Sequence, residues 1–324
     1  MSNLVMQTAS PTTTISAEKY RQQIDAIIAA LDSIVLGKEQ QIRLALACLL
    51  ANGHLLIEDL PGMGKTTLAH ALARVLGLDF HRIQFTSDML PADVIGVSVF
   101  RKESADFQFH AGPVFAQLVL ADEVNRATPK TQSALLEAME ERQVSVDGET
   151  HKLPTPFFVI ATQNPQEQVG TYALPESQLD RFLMRIFLGY PDRQHERELL
   201  TGADRRQLLD ALMPKVSPAE LIALQNAVQH VHVSDALLDY QQNLVEFTRS
   251  DSRIASGLSP RASLVLLQAA KAWAFIHGHP GVTPADLQAV FAEVVDHRLR
   301  FRNPADNTDD EVLSSYIIRS VAIP

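Results

Sequence analysis

Apolar residues along this chain follow two kinds of pattern, and the change between them divides it. In the first part, short apolar runs alternate with helical stripes. Ile24, Ile27, Ile28 and Leu31 share one face of a helix predicted over 17–31, Gly37 interrupts the pattern, and 42–50 reads as a second helix closed by Asn52-Gly53. The run His54–Glu58 is a predicted strand that leads into a glycine-rich turn. A helix follows over 66–76, with Leu68, Leu72, Val75 and Leu76 inward and Gly77 as its stop. Further strands are predicted over 80–85, 117–121 and 157–162, and the run 185–188 is open to the same reading. Hairpins are predicted over 94–110, around the polar stretch 102–106, and over 144–153, around Asp147-Gly148. Thr128-Pro129 opens a helix that reaches about Arg142.

After Pro191 the strand patterns stop. Helix starts recur instead, at Ser217-Pro-Ala-Glu220, Ser259-Pro260-Arg261 and Thr283-Pro-Ala-Asp286. Short apolar strands separated by helices predict an α/β fold with a parallel central sheet covered on both faces. The expected organisation is a flexible N-terminal tail over 1–16, an α/β core over 17–190 and an all-helical lid domain over 191–324.

Composition narrows the class. The 324 residues suit about two domains, and 46% hydrophobic with 20% charged residues fits a folded chain rather than a disordered one. Lys and Arg number 28 against 38 Asp and Glu, a net charge of −10. That balance argues against a basic nucleic-acid coat, although it leaves room for a local basic pore. A single cysteine, Cys48, excludes an intrachain disulfide and a cysteine zinc cage; within the apolar run 44–51 it reads as a buried small hydrophobe. The pairs His230/His232 and His277/His279 lack cysteine or well-spaced carboxylate partners and read as helix ends and turns. No signal-peptide pattern opens the chain and no apolar run approaches the roughly 18 residues of a membrane span, so a cytoplasmic location is expected.

The chemistry concentrates in a few segments. Glu58-Asp-Leu-Pro-Gly-Met-Gly-Lys-Thr-Thr67 lies between a strand and a helix, the setting of a phosphate-binding loop. Asp59, Pro61, Gly62, Met63, Gly64, Lys65, Thr66 and Thr67 are its candidate nucleotide-binding residues. Gly62 and Gly64 let backbone amides turn toward phosphate, Lys65 reaches the β/γ-phosphates and Thr66 ligates Mg²⁺. The strict spacing asks for glycine at position 59, where Asp59 stands. The strand Leu118-Val-Leu-Ala-Asp-Glu123 ends in two acids: Asp122 suits Mg²⁺, and Glu123 suits activation of water. Asn164, just beyond the strand FFVIAT, suits the attacking water or the γ-phosphate. Arg181 and Arg261 supply guanidinium groups for charge that develops during phosphoryl transfer.

The order of these segments resembles the AAA+ ATPases and, more narrowly, the MoxR family. The residues that carry the likeness are Leu55-Leu-Ile-Glu-Asp-Leu-Pro-Gly-Met-Gly-Lys-Thr66, Ala121-Asp-Glu-Val-Asn-Arg-Ala127, Ala161-Thr-Gln-Asn-Pro165, Leu174-Pro-Glu-Ser-Gln-Leu-Asp-Arg-Phe182 and Ser259-Pro-Arg-Ala262, across residues 20–320. The resemblance implies ATP and Mg²⁺ as cofactors. It implies Walker A roles for Lys65 and Thr66, and Walker B roles for Asp122 and Glu123. Asn164 becomes sensor 1, Arg261 sensor 2, and Arg181 an arginine finger acting on a neighbour's ATP. Asp59 is similar to how the family writes its loop. The hairpin at 93–110 matches a helix-2 insert, and that at 144–153 matches the hairpin before sensor 1. ATP is expected at the junction of core and lid.

The family likeness further implies a hexameric ring, a von Willebrand factor A-domain partner and chaperone work in assembly or metal insertion. A helicase-like DNA motor, a magnesium-chelatase-like subunit and a nucleotide switch without turnover are the rival readings. The acidic balance disfavours the first, and the presence of both Glu123 and Asn164 disfavours the last. Phe100, Phe107 and Phe109 flank the inserted hairpin, as core or as a grip on substrate. Glu137, Glu140 and Glu141 read as a solvated helix face.

Overall fold

The computed structural model describes residues 11–102, 105–165, 170–202, 204–303 and 312–323. In chain order its elements are α1 (Pro11–Asp32), α2 (Glu39–Leu50), β1 (Leu55–Glu58), α3 (Lys65–Val75), β2 (Phe80–Gln84), α4 (Pro91–Ile95), β3 (Gly96–Arg101), β4 (Asp106–Ala111), β5 (Leu118–Asp122) and α5 (Pro129–Glu141). Then come β6 (Gln143–Val146), β7 (Glu149–Lys152), β8 (Phe158–Gln163), α6 (Glu176–Leu179) and β9 (Met184–Ile186). The remaining elements are helices: α7 (Arg193–Thr201), α8 (Arg205–Asp210), α9 (Pro218–Gln229), α10 (Asp235–Ser250), α11 (Pro260–His277), α12 (Pro284–Val295) and α13 (Leu313–Ser320). The first helix corrects one expectation. It begins at Pro11 and so takes in residues 11–16 of the expected tail; Met1–Ser10 lie outside the described residues.

Five strands form one sheet in the order β2-β5-β8-β1-β9, every neighbour parallel. Strand side chains alternate between faces, and here the alternation sorts them into two cores. Leu55, Ile57, Leu118, Leu120, Phe158 and Ile160 join a cluster with α1, α2, α3 and the C-terminal helices. Leu56, Val119, Ala121, Val159 and Ala161 join a second cluster with Leu135, Leu136 and Met139 of α5. Both faces are covered, so the central strands are apolar throughout, as a parallel sheet requires. The helical C-terminal part shares the first cluster with the sheet: α11 packs on α2, α12 packs on β9, and buried Gln225 donates to the Leu49 carbonyl.

Two antiparallel hairpins, β3–β4 and β6–β7, stand apart from the sheet. Phe100 and Phe107 face each other across the first, edge to face at 5.3 Å, with Phe107 71% exposed. Phe109 instead stacks on His151 of the second hairpin at 3.9 Å, which ties the two together. Helix starts follow the expected chemistry. Thr128, Ser217, Ser259 and Thr283 each accept a hydrogen bond from a backbone amide of the first turn. Cys48 is fully buried among apolar neighbours, and that burial raises its thiol pKa. None of the described helices is long and apolar enough to cross a membrane.

His54, the residue before β1, joins three elements. Its Nδ1 accepts the Val159 N–H at 3.0 Å, so Nε2 carries the proton and donates to the Met139 carbonyl at 3.2 Å. Burial drives its pKa from 6.5 to about 4. A base with a depressed folded pKa contributes stability above its unfolded pKa and loses it as pH falls through the folded value. A His54→Ala variant is therefore expected to be less stable than wild type at pH 7.5, with the gap narrowing between pH 6.5 and 4. Chemical denaturation of both across that range tests this; a gap independent of pH contradicts it.

Candidate active site

Parallel strands point their carboxyl ends to one edge of the sheet, where α/β proteins bind ligands. The loops after β1, β5 and β8 leave that edge side by side because these strands are neighbours in the order β5-β8-β1. Pro61, Gly62, Gly64, Lys65, Thr66, Thr67, Asp122, Glu123 and Asn164 line one cavity of about 310 Å³. Eight residues from two acidic and glycine-rich segments and one from the loop after β8 are thus brought together as the sequence predicts.

The loop itself is shaped by two left-handed glycines, Gly62 at φ 84° and Gly64 at φ 88°. A Cβ at either would project into open space, so conformation rather than crowding demands glycine there. Gly64 also caps α3, whose first residues, Lys65, Thr66 and Thr67, line the cavity at the positive end of the helix dipole, where first-turn amides have no intrahelical partner. Lys65 bonds the carbonyls of Asp59 and Leu60 through Nζ. Burial lowers its pKa, and the charges of Asp59, Asp122 and Glu123 oppose that shift.

Asp59 and Met63 do not line the cavity. The Asp59 carboxylate accepts the Leu60 N–H at 2.9 Å and the Gly189 N–H at 2.6 Å, which fastens the loop to the segment after β9. That explains why an acid stands where the strict spacing asks for glycine. Met63 packs against the first core cluster.

Asp122 and Glu123 are held by residues that sequence reasoning passed over. The buried Thr162 hydroxyl donates to Asp122 Oδ1 at 2.6 Å and accepts the Glu123 N–H at 2.9 Å. Arg82 on β2 donates to Asp122 Oδ2 from Nε at 3.0 Å and from Nη2 at 2.6 Å. Three of about four acceptor positions on the carboxylate are thus used. Glu123 lies in the left-handed region at φ 56°, which turns the chain sharply after β5; its carboxylate meets Gln84 at 2.8 Å and Arg126 at 3.3 Å. The only sequence signal for Arg82 and Gln84 is their strand position. In register, Gln84 sits opposite Asp122. The hard oxygen donors of Thr66 and Asp122 share the cavity wall and fit Mg²⁺, which takes few protein ligands and keeps water and phosphate oxygens for the rest.

Arg181 and Arg261 are not brought to this cavity. Arg181 lies three residues before β9, and so at the amino edge of the parallel sheet. It meets Glu140 Oε2 at 2.6 Å and donates to the Leu136 carbonyl at 2.8 Å. Arg261, in the first turn of α11, donates to Glu140 Oε1 at 2.7 Å. Glu140 is therefore an ion-pair partner of both arginines rather than part of a solvated face. This cavity is lined by residues 61–164 alone, without any from the helical part, contrary to the expectation of a site at the junction.

A family model for the ATPase family associated with various cellular activities matches residues 54–184, and one for the AAA lid domain matches 246–315. The chain is 39% identical to chaperone MoxR1 of Mycobacterium tuberculosis, covering 93% of this chain and 82% of that one. It belongs to the MoxR family of AAA+ ATPases. This MoxR-family chain is also 43% identical to the uncharacterized protein YeaC of Bacillus subtilis, over 91% of this chain and 92% of that one. The crystal structure of a candidate ATPase from Cytophaga hutchinsonii superposes with a TM-score of 0.86 at 36% identity, covering 97% of this chain and 98% of that one. The α/β sheet with a helical C-terminal part is thus an AAA+ fold.

Thr162→Val removes a buried hydroxyl that serves both acids and leaves the Glu123 amide without its acceptor. Its expected cost is about 1–3 kcal/mol of folding stability. Thr162→Ser, which keeps the hydroxyl, is expected to cost less. Urea unfolding of the two variants measures the difference; equal losses contradict the assignment.

Proposed function

We propose that this chain is an Mg²⁺-dependent ATPase that works in a ring of like subunits to remodel protein clients. The observation that carries the proposal is the separation of the site into two halves. Lys65, Thr66, Asp122, Glu123 and Asn164 line a cavity at the carboxyl edge of the sheet. Arg181 and Arg261 gather at the amino edge, on Glu140. The four residues of β1 alone separate those edges by about 13 Å. A guanidinium at the far edge cannot reach its own subunit's phosphates, whereas it can reach those of a neighbour docked against that edge.

In this reading ATP lies with its phosphates on the amides of Gly62 and Gly64 and the first turn of α3. Lys65 leaves the loop carbonyls for the β- and γ-phosphates. Thr66 and Asp122 would hold Mg²⁺, whose charge supplies electrostatic relief to the phosphate oxygens. Glu123 accepts a proton from water as the water oxygen attacks the γ-phosphorus. The bond from that phosphorus to the β–γ bridging oxygen breaks, and the electron pair stays with ADP. Asn164 orients the water through a neutral amide, adding no charge. Arg181 and Arg261 of the adjoining subunit neutralise the γ-phosphate oxygens as the bond loosens.

Work on protein clients is supported by the relative named chaperone MoxR1. The exposed Phe100–Phe107 pair on β3–β4 gives the ring an apolar contact for such a client. A hexameric ring, a von Willebrand factor A-domain partner and a cytoplasmic setting belong to the same proposal.

Glu123→Gln is expected to bind ATP with wild-type affinity while turnover falls by about 10²-fold or more, the usual scale for loss of a general base. Fluorescent-nucleotide titration and steady-state phosphate release measure the two properties. Unchanged hydrolysis excludes Glu123 as the base.

A further inference from the structure

Glu140 stands in the last turn of α5, at the negative end of the helix dipole and one position before Glu141. Dipole and neighbour both disfavour a carboxylate there. Two guanidiniums from distant parts of the chain compensate, Arg181 at 2.6 Å and Arg261 at 2.7 Å, one on each oxygen. Without an anion between them these two cations would repel. Both ion pairs use Nη1, and among the described residues no bond engages Nε or Nη2 of either arginine. The rest of each fork remains for an incoming anion.

The backbone behind Arg181 is fixed separately. Arg298, buried three residues beyond α12, donates to Asp180 Oδ1 at 2.7 Å and to the Phe182 carbonyl at 2.6 Å, on either side of Arg181. The side chains of Arg181, Arg261 and Glu140 are 31%, 48% and 33% exposed. Pairs so exposed contribute little to stability, so folding does not account for the arrangement.

We propose that Glu140 is a positioning residue of the composite active site: its carboxylate holds Arg181 and Arg261 side by side so that both reach the nucleotide of the adjoining subunit together. The proposal rests on the two-subunit reading given above. Loss of the carboxylate frees both guanidiniums to separate, while the subunit's own phosphate cavity keeps every lining residue.

The test is ATP hydrolysis by Glu140→Gln, Arg181→Ala and Glu123→Gln subunits, alone and mixed in pairs, with assembly followed by sedimentation. Glu140→Gln alone is expected to lose roughly ten-fold in kcat, the scale on which supporting partners of a functional side chain act, with KM for ATP near wild type. Mixing it with Glu123→Gln should restore activity, because the phosphate cavity of the first then meets intact arginines of the second. Wild-type kcat in the Glu140→Gln ring overturns the proposal. So does a loss that Glu123→Gln fails to rescue while it does rescue Arg181→Ala, since Glu140 would then act within its own subunit. Failure of Glu140→Gln to assemble overturns it too, by assigning the carboxylate to assembly. If Arg181→Ala and Glu123→Gln assemble together but show no rescue, the two-subunit reading itself falls, and the proposal with it.

Discussion

The direction of five strands governs where chemistry can occur in this protein. Because β2, β5, β8, β1 and β9 all run the same way, their carboxyl ends deliver the phosphate loop, the Asp122-Glu123 pair and Asn164 to one edge. The same direction places the residues that precede strands, Arg181 among them, at the other edge. In the function proposed above, a single chain presents two incomplete halves of a phosphoryl-transfer site, and rotation of one copy against the next would bring unlike halves together. Head-to-tail contact of this kind closes into a ring when the rotation permits.

Helix α5 connects the two halves within one subunit. It begins at the Thr128 cap, five residues after Glu123, and carries Glu140 in its last turn, a length of about 20 Å for its 13 residues. Buried Gln132 on this helix donates to the carbonyls of Val124 and Tyr172, and Leu135, Leu136 and Met139 fill the second core. The helical part is joined to the other face of the sheet through one continuous apolar cluster. Arg261, in the first turn of α11, then joins that part to the end of α5 through Glu140.

Most of the fold was legible in the chain because its central strands are unbroken apolar runs and its helices begin with capping residues. The limits of α1 were not: residues 11–16 are polar and hydroxyl-rich, without an apolar stripe to mark a helix. The loop and the acid pair were legible because their chemistry follows local spacing. Thr162, Arg82 and Glu140 were not, since each acts through partners 39 or more residues away that only strand register and helix packing bring near. Arg181 and Arg261 were identified by their order along the chain. That order carried no information that one carboxylate holds both, or that they lie across the sheet from the cavity.

The claim that binds these observations is that one folded chain holds an incomplete site. The most direct measurement is the specific rate of ATP hydrolysis against protein concentration, with assembly followed in parallel by sedimentation. Activity per subunit is expected to be near zero for the dispersed chain and to rise in step with ring formation, while nucleotide binding per subunit stays constant. Full activity per subunit in the dispersed chain would contradict the account.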